Sequence, residues 1–390
     1  MDYLVFSHLR WDFVFQRPQQ LLTRCGRDHR VLFWEEPIYT DSRQASLRAT
    51  PREPNITVLL PELPAGMGER EGWAAQQELL TQYLAENGIV DYVAWYYSPM
   101  AMQFTRTLKP LATVYDCMDE LSAFRGAPPG LTRAEAQLFE AADLVFTGGQ
   151  SLYEAKRSRH SSVHCFPSSI DFQHFSTARR MEGEPPDQAV IPRPRFGYCG
   201  VIDERIDTAL LLELANRHPD RHFVMVGPVV KISESELPRA ANIHYLGGKH
   251  YSELPAYLSG WDAALMPFAI NEATRFISPT KTPEYLAAGR RVVSTPIRDV
   301  VSPYGDLGLV AVASTADDFS SALQNALQRE SKEEEEAWLT RVDNFLARNS
   351  WDSTWNRMKQ LVHETIRRRR SMSPSSTISA GTSQSATITE

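Results

Sequence analysis

Ser278, Thr280, Lys281 and Glu284 stand in the stretch SPTKTPEYLAAGRRVVST, which runs from Ser278 to Thr295. Two hydroxyls and an ammonium just ahead of a helix start can meet diphosphate oxygens, because the free N–H groups and dipole of a helix N-terminus favour anions. The signals for that start are local. Thr282 can cap the helix, Pro283 has no N–H to lose there, and Gly289 can end it after EYLAA. Glu284 would repel a diphosphate unless it accepts hydrogen bonds from the two hydroxyls of a ribose, and the set then reads as a clamp for a nucleoside diphosphate. The plainer alternative makes Glu284 a complement to the helix dipole and Lys281 a solvated loop residue.

Two further stretches carry candidate chemistry. SHLRWDFVFQRPQQ follows the first strand-like run, so His8, Arg10, Trp11 and Arg17 begin where a loop leaves a sheet. His8 can hydrogen-bond a sugar or an acceptor, or serve as a structural donor, while Trp11 and Phe13 can simply pack. VYDCMDEL ends another strand with Asp116 and Asp119. Asp116 is the candidate for binding sugar hydroxyls or steering a proton, and Asp119 reads as a cap for ELSAF. No G-x-G-x-x-G follows a strand, which argues against a dinucleotide-dependent dehydrogenase, and no Asp-x-Asp metal motif occurs.

These residues need a scaffold, and the chain is large enough for two. At 390 residues with 42% apolar content it can bury more than one core. A formal charge of -7 gives no bulk attraction to nucleic acid, so an anionic ligand must meet a local basic site. Cys25, Cys117, Cys165 and Cys199 lie far apart with no metal or redox spacing, as expected of reduced thiols in a cytoplasmic protein. The start YLVFS lacks the basic and long apolar segments of a signal peptide, and nothing approaches the about 18 unbroken apolar residues of a membrane span.

Short apolar runs alternate with helical stretches, the pattern of parallel strands with crossover helices. The alternation stops at STARRMEGEPPDQAVIPRPR and resumes near Arg195. The expected organisation is an N-terminal Rossmann-like domain over 1–175, a linker over 176–194 and a second such domain over 195–348. A helix over 349–370 follows, able to cross back to the first domain, and then a Ser/Thr-rich disordered tail over 371–390. That helix ends in Arg367–Arg370, which can touch an anionic membrane surface or only complement the helix dipole.

SPTKTPEYLAAGRRVVST resembles the donor-binding segment of retaining GT-B glycosyltransferases, in particular glycosyltransferase family 4 and its relatives. WDFVFQRPQQLLTR, PSSIDFQHF, FGYCGVIDERID and ELPAYLSGWDAALMPF fall in the order that likeness requires, from Met1 to about Arg370. The resemblance implies two doubly wound domains facing across a cleft, and retaining, metal-independent transfer from a nucleotide-diphosphate sugar, UDP ahead of GDP. The acceptor is a glycan or lipid-linked molecule, and no cofactor is implied. It gives Glu284 the ribose hydroxyls, Ser278, Thr280 and Lys281 the phosphates, Gly200 a close backbone approach to the diphosphate, and Arg205 a basic contact. Two positions depart from the pattern. Phe276 stands where these enzymes commonly carry a second glutamate, and Ile202-Asp203-Glu204-Arg205 leaves one cation where relatives have two, which Arg10 or Arg17 could supply. The rival readings are a GT-B-type sugar-nucleotide epimerase and a non-catalytic sugar-nucleotide binding protein.

Overall fold

The computed structural model describes residues 1–52, 55–328 and 331–372. Among these residues two sheets form, each from consecutive chain. The first takes β1 (Asp2–Ser7), β2 (Arg30–Glu35), β3 (Ile38–Thr40), β4 (Ser46–Pro51), β5 (Ile56–Pro64), β6 (Tyr92–Tyr96), β7 (Ala112–Cys117), β8 (Leu144–Thr147) and β9 (Val163–Cys165). Their order is β3-β5-β2-β1-β6-β7-β8-β9, with β4 antiparallel on β5. The second sheet takes β10 (Arg195–Cys199), β11 (His222–Val226), β12 (Ile243–Gly247), β13 (Ala263–Met266), β14 (Val292–Ser294) and β15 (Ala311–Val312), ordered β12-β11-β10-β13-β14-β15. All of its pairings are parallel.

The central strands read as unbroken apolar runs because helices cover both of their faces. LVFS of β1, VLFWE of β2 and YVAWY of β6 are buried throughout, with Phe6 opposite both Trp34 and Tyr96. β1 is a switch point: the chain goes to β2 on one side and to β6 on the other. Loops leaving the carboxyl ends of strands at such a point open a crevice.

The segment joining the domains is folded against the second one. Arg179 donates to the Ala287 carbonyl and pairs with Asp343. Gln188 is fully buried, donating to the Tyr257 carbonyl and accepting from Trp261 Nε1 at 2.9 Å. Its polar residues find partners, so it holds its place without apolar periodicity.

The C-terminal helix, Trp351–Met372, packs on the first domain. Trp351, Trp355, Met358, Val362 and Ile366 join the cluster of Tyr3, Val5, Leu21 and Trp95. Asp352 accepts from Arg24 and Arg27, and Asp28 accepts from Lys359 at 2.5 Å. Ser371 and Met372, expected in the tail, are helical, and the expectation for 373–390 falls outside the described residues. No described helix is long and apolar enough to cross a membrane.

Candidate functional site

The carboxyl ends of the two sheets face each other across a cleft of about 680 Å³. One wall is the loop after β1, from Trp11 to Phe15. The other is built from the ends of β10 and β11, the Gly248–Tyr251 loop, and Thr280, Lys281 and Glu284. A smaller cavity of about 100 Å³ shares Val14, Val201, Thr280 and Lys281 and extends inward past Asp119, Arg205 and Ser278.

The floor depends on two glycines. A Cβ on Gly227 would lie 1.9 Å from the Gly200 carbonyl oxygen, and one on Gly200 would lie 2.5 Å from Cε of Lys281. The ends of β10 and β11 therefore approach as bare backbone, and the Lys281 side chain packs closely against Gly200. Lys281 has one short polar contact, from Nζ to Thr280 Oγ1 at 3.3 Å, and makes no ion pair among the described residues. Its charge is available to a ligand in either cavity.

The helix that carries this group runs Lys281–Ala287 with Thr280 at its N-cap. The start falls earlier than expected: Thr282 is fully buried and bonds Met266 Sδ instead of capping. Gly289, at φ 74, closes the helix with its N–H on the Leu286 carbonyl. Glu284 is half-buried in the first turn. Burial pushes its carboxyl up to about 7, while Lys281 and a bond to Thr280 pull it back. Ser278 is tied to the facing domain, its carbonyl accepting from Ser168 Oγ at 2.6 Å.

Arg205 lines the inner cavity and forms a bidentate pair with Asp203, Nε to Oδ1 at 2.9 Å and Nη2 to Oδ2 at 2.7 Å. Neither candidate for a second cation is free. Arg10 donates to Glu35 and to the Glu36 and Pro37 carbonyls, fixing the loop after β1, and the same Glu35 accepts from Trp11 N–H. Arg17 grips both oxygens of Asp116 and donates to the Phe166 carbonyl.

That grip changes the standing of Asp116. Its side chain is fully buried and both carboxylate oxygens are engaged by Arg17, so it holds two elements together and lines neither cavity. Asp119, which the sequence suggested as a cap, caps nothing and reaches the inner cavity. Burial raises its carboxyl, with Arg205, Arg17 and Lys281 opposing. Its position two residues past the end of β7 was the available signal, since strand carboxyl ends are where such sites form.

His8 also lines neither cavity. Burial, then Lys231, pushes its ring down to about 4, so it is neutral near pH 7, and its buried Nδ1 has no partner. Tyr251 was not anticipated. Its ring lies between Phe15 at 4.5 Å and His174 at 4.3 Å, and its hydroxyl accepts from Gln20 at 2.8 Å, linking the domains at the outer end of the cleft. Phe276, where a second glutamate was considered, packs against the apolar cluster of the first domain.

Two Rossmann-like parallel-sheet domains with their strand ends facing across a cleft define the GT-B fold. Within it, residues 193–329 match the family described as Glycosyl transferases group 1. The chain is 26% identical over 203 residues to TuaH of Bacillus subtilis (strain 168), named as a teichuronic acid biosynthesis glycosyltransferase, with 47% of this chain and 50% of that protein covered. The match thus spans half of that relative's length.

Solved structures share the fold over nearly the whole chain. An alpha,alpha-trehalose-phosphate synthase (UDP-forming) from Burkholderia xenovorans, in complex with glucose-6-phosphate, superposes with TM-score 0.68 at 11% identity, covering 93% of this chain and 100% of that one. A sucrose-phosphate synthase from Thermosynechococcus elongatus gives 0.67 at 14% identity, covering 94% and 100%. An E. coli structure described as trehalose-6-phosphate bound with UDP-2-fluoro glucose gives 0.66 at 13%, covering 93% and 99%. The resemblance to GT-B glycosyltransferases read from the sequence holds.

Proposed function

We propose that this protein is a cytoplasmic glycosyltransferase that moves a sugar from a nucleotide-diphosphate sugar, UDP first among them, to a glycan or lipid-linked acceptor with retention. The reading rests on one observation: Lys281 and Glu284 line the cleft together, with the Lys281 side chain packed closely against the bare backbone of Gly200. Lys281, Thr280 and Ser278 take the diphosphate, Glu284 the ribose hydroxyls, and Arg205 the charge that grows as the bond from the sugar to the diphosphate breaks. Asp119 replaces Asp116 as the carboxylate that accepts a hydrogen bond from a sugar hydroxyl, and His8, outside both cavities, drops out of the set that meets the substrate. The chemistry requires no metal in this reading. Likeness to TuaH supports surface polysaccharide synthesis, and the names of the structural neighbours support UDP.

Arg367–Arg370 would provide peripheral contact with an anionic membrane at about 1 kcal/mol per arginine near the surface. The run lies at the amino ends of the strands, where Arg369 bonds Asp143 just before β8, so that contact would seat the end of the domain opposite the cleft.

The test is a thermal-shift panel of UDP, GDP and ADP followed by turnover of the matching sugar nucleotides. UDP should stabilise in proportion to its affinity. Lys281→Ala should lower kcat by roughly 10²–10³, the range for removing one donor to developing charge. No shift with any nucleotide would end the reading, and a turnover change below about threefold would remove Lys281 from it.

A further inference from the structure

The loop from Met118 to Gly130 leaves β7 in the first domain and crosses to the second beside the inner cavity, which Met118 and Asp119 line. Its stem is held, because Glu120 pairs with the buried Lys156 at 2.6 Å and accepts from Ser122. Its tip is jointed, with Gly126 at φ 76 and Gly130 at φ 84, both in open space where a Cβ would meet nothing.

Between stem and joint sits Phe124. The Arg205 guanidinium lies 5.6 Å from the centre of its ring and the Lys231 ammonium 5.0 Å. Both cations belong to the other domain. Lys231 is exposed, makes no ion pair among the described residues, and has φ 63, a backbone conformation a lysine seldom adopts. The next residue adds two polar contacts across the gap, Arg125 N–H to Glu204 Oε1 at 3.3 Å and its guanidinium to Glu236 at 3.8 Å.

We propose that Phe124 is a positioning residue and that the 118–130 loop is a lid over the sugar end of the cleft, held shut by the face of that ring on Arg205 and Lys231. The negative face of an aromatic ring attracts cations, and both distances lie within the range for that attraction. Asp203 fixes the Arg205 guanidinium from its own loop and Phe124 fixes it from across the cleft, so a closed lid completes the arginine's placement. Asp119 lies on the held stem of the same loop, beside Glu120, and lines the inner cavity beneath the closed tip. A shut lid keeps water from an activated sugar, and an open one admits the acceptor. The role in catalysis rests on the reading above; the closure itself does not.

The experiment uses the full chain and needs no ligand. Arg125 is itself exposed, but a protease must draw several residues around the bond out of the fold, so trypsin cleavage after Arg125 follows the population of the open loop. Phe124→Leu keeps an apolar side chain but removes the ring, and it should speed that cleavage by roughly 5- to 20-fold, the combined effect of two such contacts. Phe124→Tyr keeps the ring and should stay within about twofold of the parent. Equal rates in the leucine variant and the parent would overturn the lid, and a tyrosine variant cleaved as fast as the leucine one would overturn its basis in the ring. If UDP binds and turns over, Phe124→Leu should also raise donor hydrolysis without acceptor relative to transfer, and an unchanged ratio would overturn the shielding. A protein that binds no nucleotide yet shows the proteolysis pattern would refute the function and keep the lid.

Discussion

At the residue scale, what separates two aspartates three positions apart is a partner far away in the chain. Asp116 meets Arg17, 99 positions earlier, and a buried ion pair losing one member leaves an uncompensated charge. Asp116→Ala should therefore cost about 3–5 kcal/mol in urea unfolding. A variant that unfolds like the parent yet turns over slowly would restore Asp116 to the chemistry. Lys281 and Glu284 were legible in the sequence because a helix start is announced within a few residues. The Arg17–Asp116 pair was not, because no local pattern records it. Glu284 gives a dependence on pH whose sign is fixed. Burial raises its carboxyl from 4.5 to about 7, so the unliganded protein loses stability as pH rises through that interval. Ribose hydroxyls donate to the ionised form, so affinity for a sugar nucleotide, whose diphosphate diester does not titrate there, should rise between about pH 6 and about pH 8. Glu284→Gln should flatten that slope, and calorimetric titration at both ends of the range decides.

At the element scale, the helix Gln150–Lys156 of the first domain begins at Gly149, which has no side chain to cap it. Asp299 of the second domain does so instead, its Oδ1 accepting from Ser151 N–H at 3.0 Å, and a Cβ on Gly149 would collide with the same carboxylate. Asp299→Ala should cost about 1 kcal/mol, as losing a cap does, and Asp299→Asn much less because an acceptor remains. Equal midpoints for alanine and parent would show that this contact across the domains contributes nothing. The central strands were readable as apolar runs. β3, β4 and β5 were not: Pro61 and Pro64 interrupt β5, and proline within a run argues against a strand unless the sheet edge tolerates it. The folding of the segment that joins the domains was equally hidden, because Arg179 and Gln188 are anchored through hydrogen bonds instead of a hydrophobic period.

At the scale of the whole molecule, the chain leaves the first domain, builds the second and returns. The Trp355 ring lies 5.8 Å from Tyr3 and 6.1 Å from Trp95, so the last helix completes the first core. Trp355→Ala should cost about 3–5 kcal/mol and lower the transition of the first domain in calorimetry, leaving that of the second in place. A loss confined to the second domain would contradict the packing. During synthesis this return has a further consequence. The second domain is contiguous and can close as soon as it clears the ribosome, whereas Tyr3 and Trp95, made before it, must wait for a helix made after it. Of the two domains, the one translated first is thus the one finished last, and the interval leaves its aromatic face open to chaperones.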